Sequence, residues 1–144
     1  VRLVHSLTPA QVGELHAFYD DVWWAKGRSR DGIERMLGRC LPFGFVDGAD
    51  HLAAFARVVG DGVYKATIFD VIVAPAHRGS GLGKALLEHL GALAVARGCG
   101  RFEWSVLDWN RNAIDFYERM GATVMADWRI CRLSGEELAR FGRG

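Results

Sequence analysis

The stretch RGSGLGKALLEHL, residues 78–90, decides the fold because it joins a glycine-rich bend directly to an amphipathic helix. Gly79, Gly81 and Gly83 stand on alternate positions, and their cost in backbone entropy indicates a close approach to the main chain. Helix N-termini leave N–H groups unpaired and carry partial positive charge, which together suit phosphate. The stretch therefore predicts a phosphate-binding loop at the start of a helix.

Two better-known phosphate loops do not fit this stretch. A P-loop requires G-x-x-x-x-G-K followed by Ser or Thr, whereas Arg78 stands at its first glycine and Ala85 at its hydroxyl position. Without that hydroxyl the loop lacks the magnesium ligand, which argues against the alternative function of a nucleotide hydrolase. A dinucleotide fingerprint requires G-x-G-x-x-G, and Lys84 stands where its last glycine belongs.

The segments on both sides of the loop alternate between strand and helix patterns. Strands are predicted at 1–5, 43–48, 51–62, 64–74, 101–107 and 123–133, and helices at 9–24, from 30 to a stop at Pro42, at 82–97, at 110–120 and after Ser134. The order β-α-α-β-β-β-α-β-α-β-α predicts an α/β fold, with a central mixed sheet flanked by helices. The length of 144 residues predicts a single domain, residues 1–144.

Local signals support several of these boundaries. Thr8 with Gln11 forms a capping-box pattern, and Ser134 with Glu137 repeats it near the end of the chain. The pairs Asp47–Gly48 and Asp61–Gly62 predict hairpin turns between the middle strands.

Composition excludes several classes of function. A formal net charge of +1 predicts no nucleic-acid partner, and no apolar run is long enough to span a bilayer. The cysteines Cys40, Cys99 and Cys131 are widely spaced and odd in number, which argues against a disulfide framework. We therefore expect a cytoplasmic protein with no metal site, since neither the cysteines nor the five histidines show a metal-ligand spacing.

Two sequence blocks resemble one known family. Arg78, Gly81 and Gly83 form the pattern R-x-x-G-x-G directly after the strand DVIVAPAH, residues 70–77, and the block LDWNRNAIDFYERMGA follows at 107–122. Both blocks resemble the GNAT superfamily of acetyl-CoA-dependent N-acetyltransferases. The sequence of the second block most resembles the diamine and polyamine acetyltransferase branch.

The resemblance implies a GNAT fold and a set of residues that bind acetyl-CoA. Main-chain groups of Val71, Ile72 and Val73 would pair with the pantetheine arm, and the loop would hold the pyrophosphate. The implied loop residues are Arg78, Gly79, Ser80, Gly81, Leu82, Gly83 and Lys84. Asn110, Asn112, Ala113 and Tyr117 would also touch the coenzyme, although Asn110 is equally suited to be a helix N-cap.

Acyl transfer from a thioester to an amine needs an acid for the thiolate and a route for the proton of the ammonium. Tyr117 is the candidate acid, since in the family the Tyr of the Phe-Tyr pair faces the sulfur; alternatively it belongs to an apolar stripe at helical spacing. Asp70 is the candidate base. Many relatives carry Glu one position earlier, where this chain has Phe69, and Glu103 is a second candidate.

The function that follows is an N-acetyltransferase in which a primary amine attacks acetyl-CoA directly in a ternary complex. The acceptor stays open between a small amine, a polyamine-like molecule and a protein amine. The alternative, favoured by the missing Glu, is a non-catalytic acyl-CoA-binding module. Analogy with the family also suggests a homodimer. The net charge and the lack of a long apolar run predict no nucleic-acid and no membrane partner.

Overall fold

The structure, a computed structural model, describes residues 1–143. The chain divides into two compact units, Val1–Trp104 and Ser105–Gly144, which are described separately. The single domain expected from the length stays a prediction.

The first unit is a four-stranded antiparallel sheet with helices packed on it. Its elements are β1 (Arg2–Val4), α1 (Pro9–Asp21), α2 (Arg30–Leu37), β2 (Leu41–Val46), β3 (Leu52–Gly60), β4 (Ala66–Val73), a 3-10 turn (Pro75–His77) and α3 (Leu82–Ala96). The strands lie in the order β1-β2-β3-β4, and each neighbouring pair is antiparallel. Helices α1 and α3 both contact β3, so the sheet has helical cover as expected. The α/β class is confirmed.

The core forms where α1 and α2 meet the sheet. Leu15 and Tyr19 of α1, Ile33 of α2 and Phe55 of β3 are almost completely buried in one apolar cluster. Burial of side chains of this size is the main favourable contribution to folding. The same cluster includes Ile72, which connects it to β4.

The start of α1 confirms the capping-box prediction. The main-chain N–H of Thr8 donates to the side chain of Gln11 over 3.0 Å, and the N–H of Gln11 donates back to Thr8 Oγ1 over 3.3 Å. Gln11 Nε2 also donates to the main-chain oxygen of Asp50 over 2.9 Å, so this cap holds the β2–β3 hairpin against α1.

Both predicted hairpin turns are formed. Asp47 Oδ1 accepts the main-chain N–H groups of Ala49 and His51. Asp61 Oδ1 accepts three further N–H groups in the β3–β4 turn, the last from Lys65. Aspartate suits these positions because its short side chain reaches its own following backbone.

Strand β4 contains a β-bulge. Ile72 pairs with Phe55 and Phe69 pairs with Arg57, so the two residues between them, Asp70 and Val71, oppose a single residue of β3. Asp70 has a φ of 57°, in the left-handed region that residues with a Cβ seldom adopt. The bulge breaks the strict side-chain alternation that the strand pattern predicts.

Two predicted strands are absent from the described part of the chain, and the sheet is antiparallel rather than mixed. Residues 101–107 keep the expected alternation, with Phe102, Trp104 and Val106 half-buried, but they form no strand. Alternation predicts a buried face and does not supply a neighbour for the ladder hydrogen bonds. Residues 123–133 are exposed along their whole length, so no buried face favours strand pairing there.

Two helix boundaries also differ from the predictions. Helix α1 ends at Asp21 rather than near Trp24. Helix α2 ends at Leu37 with Gly38 as its cap, whereas Pro42 lies inside β2. Proline has no backbone N–H, and it is tolerated there because β1 pairs with β2 only as far as Gly44. On that side of Pro42 no strand therefore needs a hydrogen bond from it.

The second unit contains α4 (Arg111–Arg119) and α5 (Gly135–Phe141). Helix α4 buries Ile114 on its inner face. Helix α5 begins after Ser134 as predicted, but the Ser134 side chain makes no cap hydrogen bond. Within residues 1–143, no helix is both long and apolar enough to cross a membrane.

Candidate functional site

The loop between β4 and α3 exposes its main chain. Gly79 and Gly81 have φ values of 76° and 87°, and a Cβ built on either would meet nothing within 4 Å. Gly81 is the N-cap of α3, and no side chain caps this helix start. Uncapped N–H groups at a helix N-terminus attract anions, and the binding of phosphate at this loop stays a prediction.

Basic side chains stand at both ends of this loop. Arg78 donates through Nε to the main-chain oxygen of Val73 over 3.4 Å, which returns its guanidinium toward the end of β4. Lys84 lies in the first turn of α3 with its Nζ 3.3 Å from Glu88 Oε1, and both side chains are largely exposed. Between them, Ser80 Oγ donates to the main-chain oxygen of His77 over 2.5 Å and tightens the bend.

Strand β4 leads into the loop as the last strand of the sheet. It pairs with β3 on one side, and on the other side no strand of residues 1–143 is paired with it. Val71 and Val73 are half-buried and Ile72 is 6% exposed, so their side chains belong to the packing of the unit. The unpaired edge provides main-chain donors and acceptors for a ligand.

The bulge in β4 directs Asp70 into a polar cluster that we call the bulge cluster, formed by Tyr19, Arg28, Arg57 and Asp70. The Asp70 side chain is 5% exposed. Its Oδ2 accepts the Tyr19 hydroxyl over 2.9 Å, Arg28 Nη1 over 3.1 Å and Arg57 Nε at short range. The cluster thus joins α1, the segment between α1 and α2, β3 and β4 at one carboxylate oxygen.

Electrostatics in the bulge cluster keep the tyrosine neutral and the arginine charged. Burial raises the pKa of the Tyr19 hydroxyl well above its usual range, and the negative charge of Asp70 raises it further. Burial lowers the pKa of Arg57, but the hydrogen bond and charge of Asp70 outweigh this, so the net pKa is raised. The neighbouring Cys40 thiol also has a raised pKa, chiefly through burial, and is therefore a poor nucleophile.

Aromatic rings line the same cluster. The Arg28 guanidinium lies over the Tyr19 ring at 4.3 Å and near the Trp24 ring at 5.9 Å. The Arg57 guanidinium lies 5.0 Å from the centre of the Phe69 ring, and Phe69 is 43% exposed. Cation–π contacts of this kind stabilise a guanidinium through its face and leave its N–H edge available.

The remaining predicted residues lie on α4, in the second unit. Asn110 Oδ1 accepts the N–H of Ala113 over 3.2 Å, which confirms Asn110 as an N-cap, and Asn112 is exposed. Tyr117 is half-buried beside Phe116, with ring centres 5.4 Å apart, and burial raises the pKa of its hydroxyl. These contacts agree with a packing role for Tyr117 in the apolar stripe and equally with its predicted role as the acid.

The structure therefore divides the predicted residues into two groups. Asp70, Val71–Val73 and Arg78–Lys84 follow one another through β4, the loop and α3 of the first unit, whereas Asn110, Asn112, Ala113 and Tyr117 share α4. Glu103 is exposed and 3.9 Å from Arg101. Among residues 1–143, no three His, Cys, Asp or Glu side chains gather as a metal site would require.

Sequence reasoning missed three of the four members of the bulge cluster. Nothing local marks Tyr19 or Arg28, and the three residues come from separate parts of the chain. The available signal was charge on an inward position: Arg57 stands in the otherwise apolar strand segment LAAFARVV and needs a buried partner.

Comparison with known proteins gives a consistent family assignment. A model of the acetyltransferase (GNAT) family matches residues 5–122. A crystal structure of a proposed GNAT-family acetyltransferase from Xanthomonas campestris superposes with a TM-score of 0.68, at 33% identity, covering 88% of this chain and 87% of that one.

Two curated proteins are similar to about half of this chain. L-ornithine N5-acetyltransferase of Arabidopsis thaliana is 51% identical over 71 residues, which are 49% of this chain and 31% of the relative. A thialysine N-epsilon-acetyltransferase of Sus scrofa is 35% identical over 72 residues, which are 48% of this chain and 42% of the relative. The match thus spans less than half the length of each curated relative.

Proposed function

The chain belongs to the acetyltransferase (GNAT) family, and from this membership we propose that it transfers an acetyl group from acetyl-CoA to a primary amine. The amine attacks the thioester directly in a ternary complex, without a covalent enzyme intermediate. One observation carries the proposal: the strand–loop–helix unit in which left-handed Gly79 and Gly81 expose main chain at the uncapped start of α3.

The loop and β4 would bind the coenzyme mainly through the backbone. The pyrophosphate would be held by N–H groups of Arg78–Lys84, with the Arg78 and Lys84 side chains adding positive charge. The pantetheine arm would pair with the edge of β4 at Val71–Val73. Support comes from the exposure of the loop and from the edge position of β4.

Helix α4 would supply the remaining contacts and the acid. We propose that Asn110, Asn112 and Ala113 touch the coenzyme and that Tyr117 protonates the departing thiolate. When the amine nitrogen bonds to the acetyl carbon and the C–S bond breaks, the sulfur takes the phenol proton, and the proton released by the amine restores the phenol. The raised pKa of Tyr117 keeps the phenol protonated before the step.

The acceptor is an ammonium ion at neutral pH, and the first proton, which it must lose before it attacks, would go to Asp70. The proton that restores Tyr117 is the second one, released after the C–N bond has formed. Oδ2 of Asp70 is occupied by three donors, so a proton would reach the carboxylate through Oδ1, with water as the carrier. Glu103 remains the second candidate. The direct route is supported by Cys40, whose raised thiol pKa opposes a covalent acyl-cysteine.

The acceptor we propose is a small molecule with a terminal primary amine. Both curated relatives are named for amines of this kind, N5 of L-ornithine and N-epsilon of thialysine. The homodimer and the cytoplasmic location stay predictions.

Two measurements test the function. Calorimetry should detect binding of CoA and of acetyl-CoA, and a thiol reagent should detect free CoA only when an amine is added. Absence of heat on CoA addition would remove the proposal. Binding without thiol release from any amine would instead establish the alternative, a non-catalytic acyl-CoA-binding module, which the replacement of the family Glu by Phe69 favours.

A further inference from the structure

The bulge cluster contains one more positive than negative charge. Arg28 and Arg57 both bind Oδ2 of Asp70, and no second carboxylate of residues 1–143 forms an ion pair with either guanidinium. The other ionisable neighbours, Tyr19 and Cys40, have raised pKa values and stay neutral. Because Arg57 is only 15% exposed, water screens this excess charge incompletely.

Both guanidinium groups keep unused donors. Arg57 donates to the carboxylate through Nε alone, which leaves Nη1 and Nη2 without a partner in the described chain. Arg28 uses Nη1 for Asp70 and for a 3.9 Å contact with Met36 Sδ, and keeps Nε and Nη2. No fully buried polar atom of the described side chains lacks a partner, so these donors reach accessible space.

The position of these donors relates them to the proposed acetyl-CoA site. Asp70 immediately precedes Val71, where the proposed pantetheine-binding edge of β4 begins. The Arg28 guanidinium lies over the Tyr19 ring and near the Trp24 ring while Nη1 binds Asp70, and these contacts together restrict the direction of its free edge. A fixed guanidinium edge recognises a carboxylate through two parallel hydrogen bonds, which suits arginine better than lysine.

We propose that Arg28 and Arg57 bind a carboxylate of the amine acceptor, so that the substrate class is a small diamino acid and not a polyamine. The inference rests on the proposed function and deepens it. A second carboxylate would neutralise the excess charge and fill the unused donors. A polyamine would instead bring further positive charge toward two guanidinium groups that share one counter-ion.

The first test compares acceptors that differ only in the carboxylate. The wild-type protein is assayed by CoA release with L-ornithine against putrescine and with L-lysine against cadaverine, which keep the same carbon chain between the amines. We expect kcat/KM to be at least about tenfold higher for each amino acid, as for one charge-assisted hydrogen bond. Equal values, or higher values for the diamines, would overturn the inference.

Variants of Arg28 locate the effect. Arg28→Gln should raise the KM for ornithine by at least about tenfold and affect putrescine less, and Arg28→Lys should restore part of the loss. The matched control is Arg35→Gln, which removes an exposed arginine of α2 paired with Asp31 and should change neither substrate. An equal loss for both acceptors in Arg28→Gln would contradict a carboxylate contact.

Binding measurements on the wild type keep the test independent of variant folding and of catalysis. With CoA present, calorimetry should show tighter binding of L-ornithine than of its methyl ester, which lacks the negative charge. Equal binding of acid and ester, or binding of neither, overturns the inference. If no amine releases CoA although CoA binds, the proposed function fails, and the acid–ester comparison still decides whether the carboxylate site exists.

Discussion

The hydroxyl of Tyr19 donates a hydrogen bond to Oδ2 of Asp70 over 2.9 Å, which joins α1 to β4 across 51 positions of sequence. Tyr19 is fully buried, and its ring belongs to the main apolar core. Asp70 occupies the left-handed position of the bulge in β4, directly before the residues predicted to bind the coenzyme. One hydrogen bond therefore connects the packing of the fold to the backbone that we propose for ligand binding.

Removing the two partners of this bond should have unequal effects on stability. Tyr19→Phe removes one donor and should lower the free energy of unfolding by about 1 kcal/mol. Asp70→Ala leaves two partly buried guanidinium groups without a counter-ion and should cost about 3 kcal/mol. Urea denaturation measures both, and Asp31→Asn, which breaks an exposed ion pair, is the control with an expected change below about 0.5 kcal/mol. Similar losses for Tyr19→Phe and Asp70→Ala would contradict the role of the carboxylate.

The glycine loop allows a matched comparison between strain and binding. Gly81 and Gly62 have φ values of 87° and 77°, and neither has an atom within 4 Å of a built Cβ. Alanine at either position should therefore destabilise by about 1 kcal/mol through the backbone alone. Only Gly81→Ala should also weaken acetyl-CoA binding in calorimetry. Equal affinity of the two variants for acetyl-CoA would contradict the binding of the coenzyme by the loop.

Tyr117→Phe tests the proposed acid. Loss of the phenol proton should lower kcat by about 100-fold, the lower range for general acid–base catalysis, while the affinity for acetyl-CoA changes little. CoA release and calorimetry measure the two quantities. Tyr64→Phe is the control because Tyr64 is 94% exposed and belongs to the other unit. If kcat stays at the wild-type value in Tyr117→Phe, the tyrosine is a packing residue only.

Gly60 is required by close approach at the β3–β4 hairpin. A Cβ built there would lie 2.3 Å from the main-chain oxygen of Lys65 and 2.9 Å from Ala66 Cα. Because these are backbone atoms, Gly60→Ala should distort the hairpin and cost about 2 kcal/mol of unfolding free energy. Gly48→Ala, at a hairpin position with open space, should be nearly neutral. Thermal denaturation of the pair distinguishes close contact from a general effect of glycine replacement.

His51 gives a pH dependence whose sign follows from its contacts. Its Nδ1 lies 2.5 Å from Glu14 Oε1, and this hydrogen bond, together with the charge of Glu14, raises the pKa of the imidazole. The native state therefore holds the proton more tightly than the unfolded chain. The resulting stabilisation is complete below the ordinary value of about 6.5 and is lost as pH rises through the higher native pKa.

Proton NMR titration of His51 checks this prediction directly. The measured pKa should lie above about 6.5 in the wild type and return toward it in Glu14→Gln. Because both side chains reach solvent, added salt should reduce the shift. A wild-type pKa below the ordinary value would contradict the hydrogen bond.

Local features of the fold could be predicted because neighbouring residues determine them. The capping box at Thr8 depends on a residue three positions away, and the left-handed conformation at Gly81 depends on the absence of its own Cβ. The apolar run before the loop likewise identified β4 and, with the loop, the family. The predictions of strands at 101–107 and 123–133 were wrong for the opposite reason, since a strand needs a partner strand that its own sequence pattern cannot specify.

The sequence by itself determined the β4–loop–α3 unit, its family and the candidate coenzyme residues, because short-range spacing and backbone preference encode them. Only the tertiary structure decided where Asp70 points. A bulge of one residue turned its carboxylate inward, and Tyr19, Arg28 and Arg57 reached it from distant positions. Burial then made these charges depend on one another, an energetic coupling that exists only once the chain has folded.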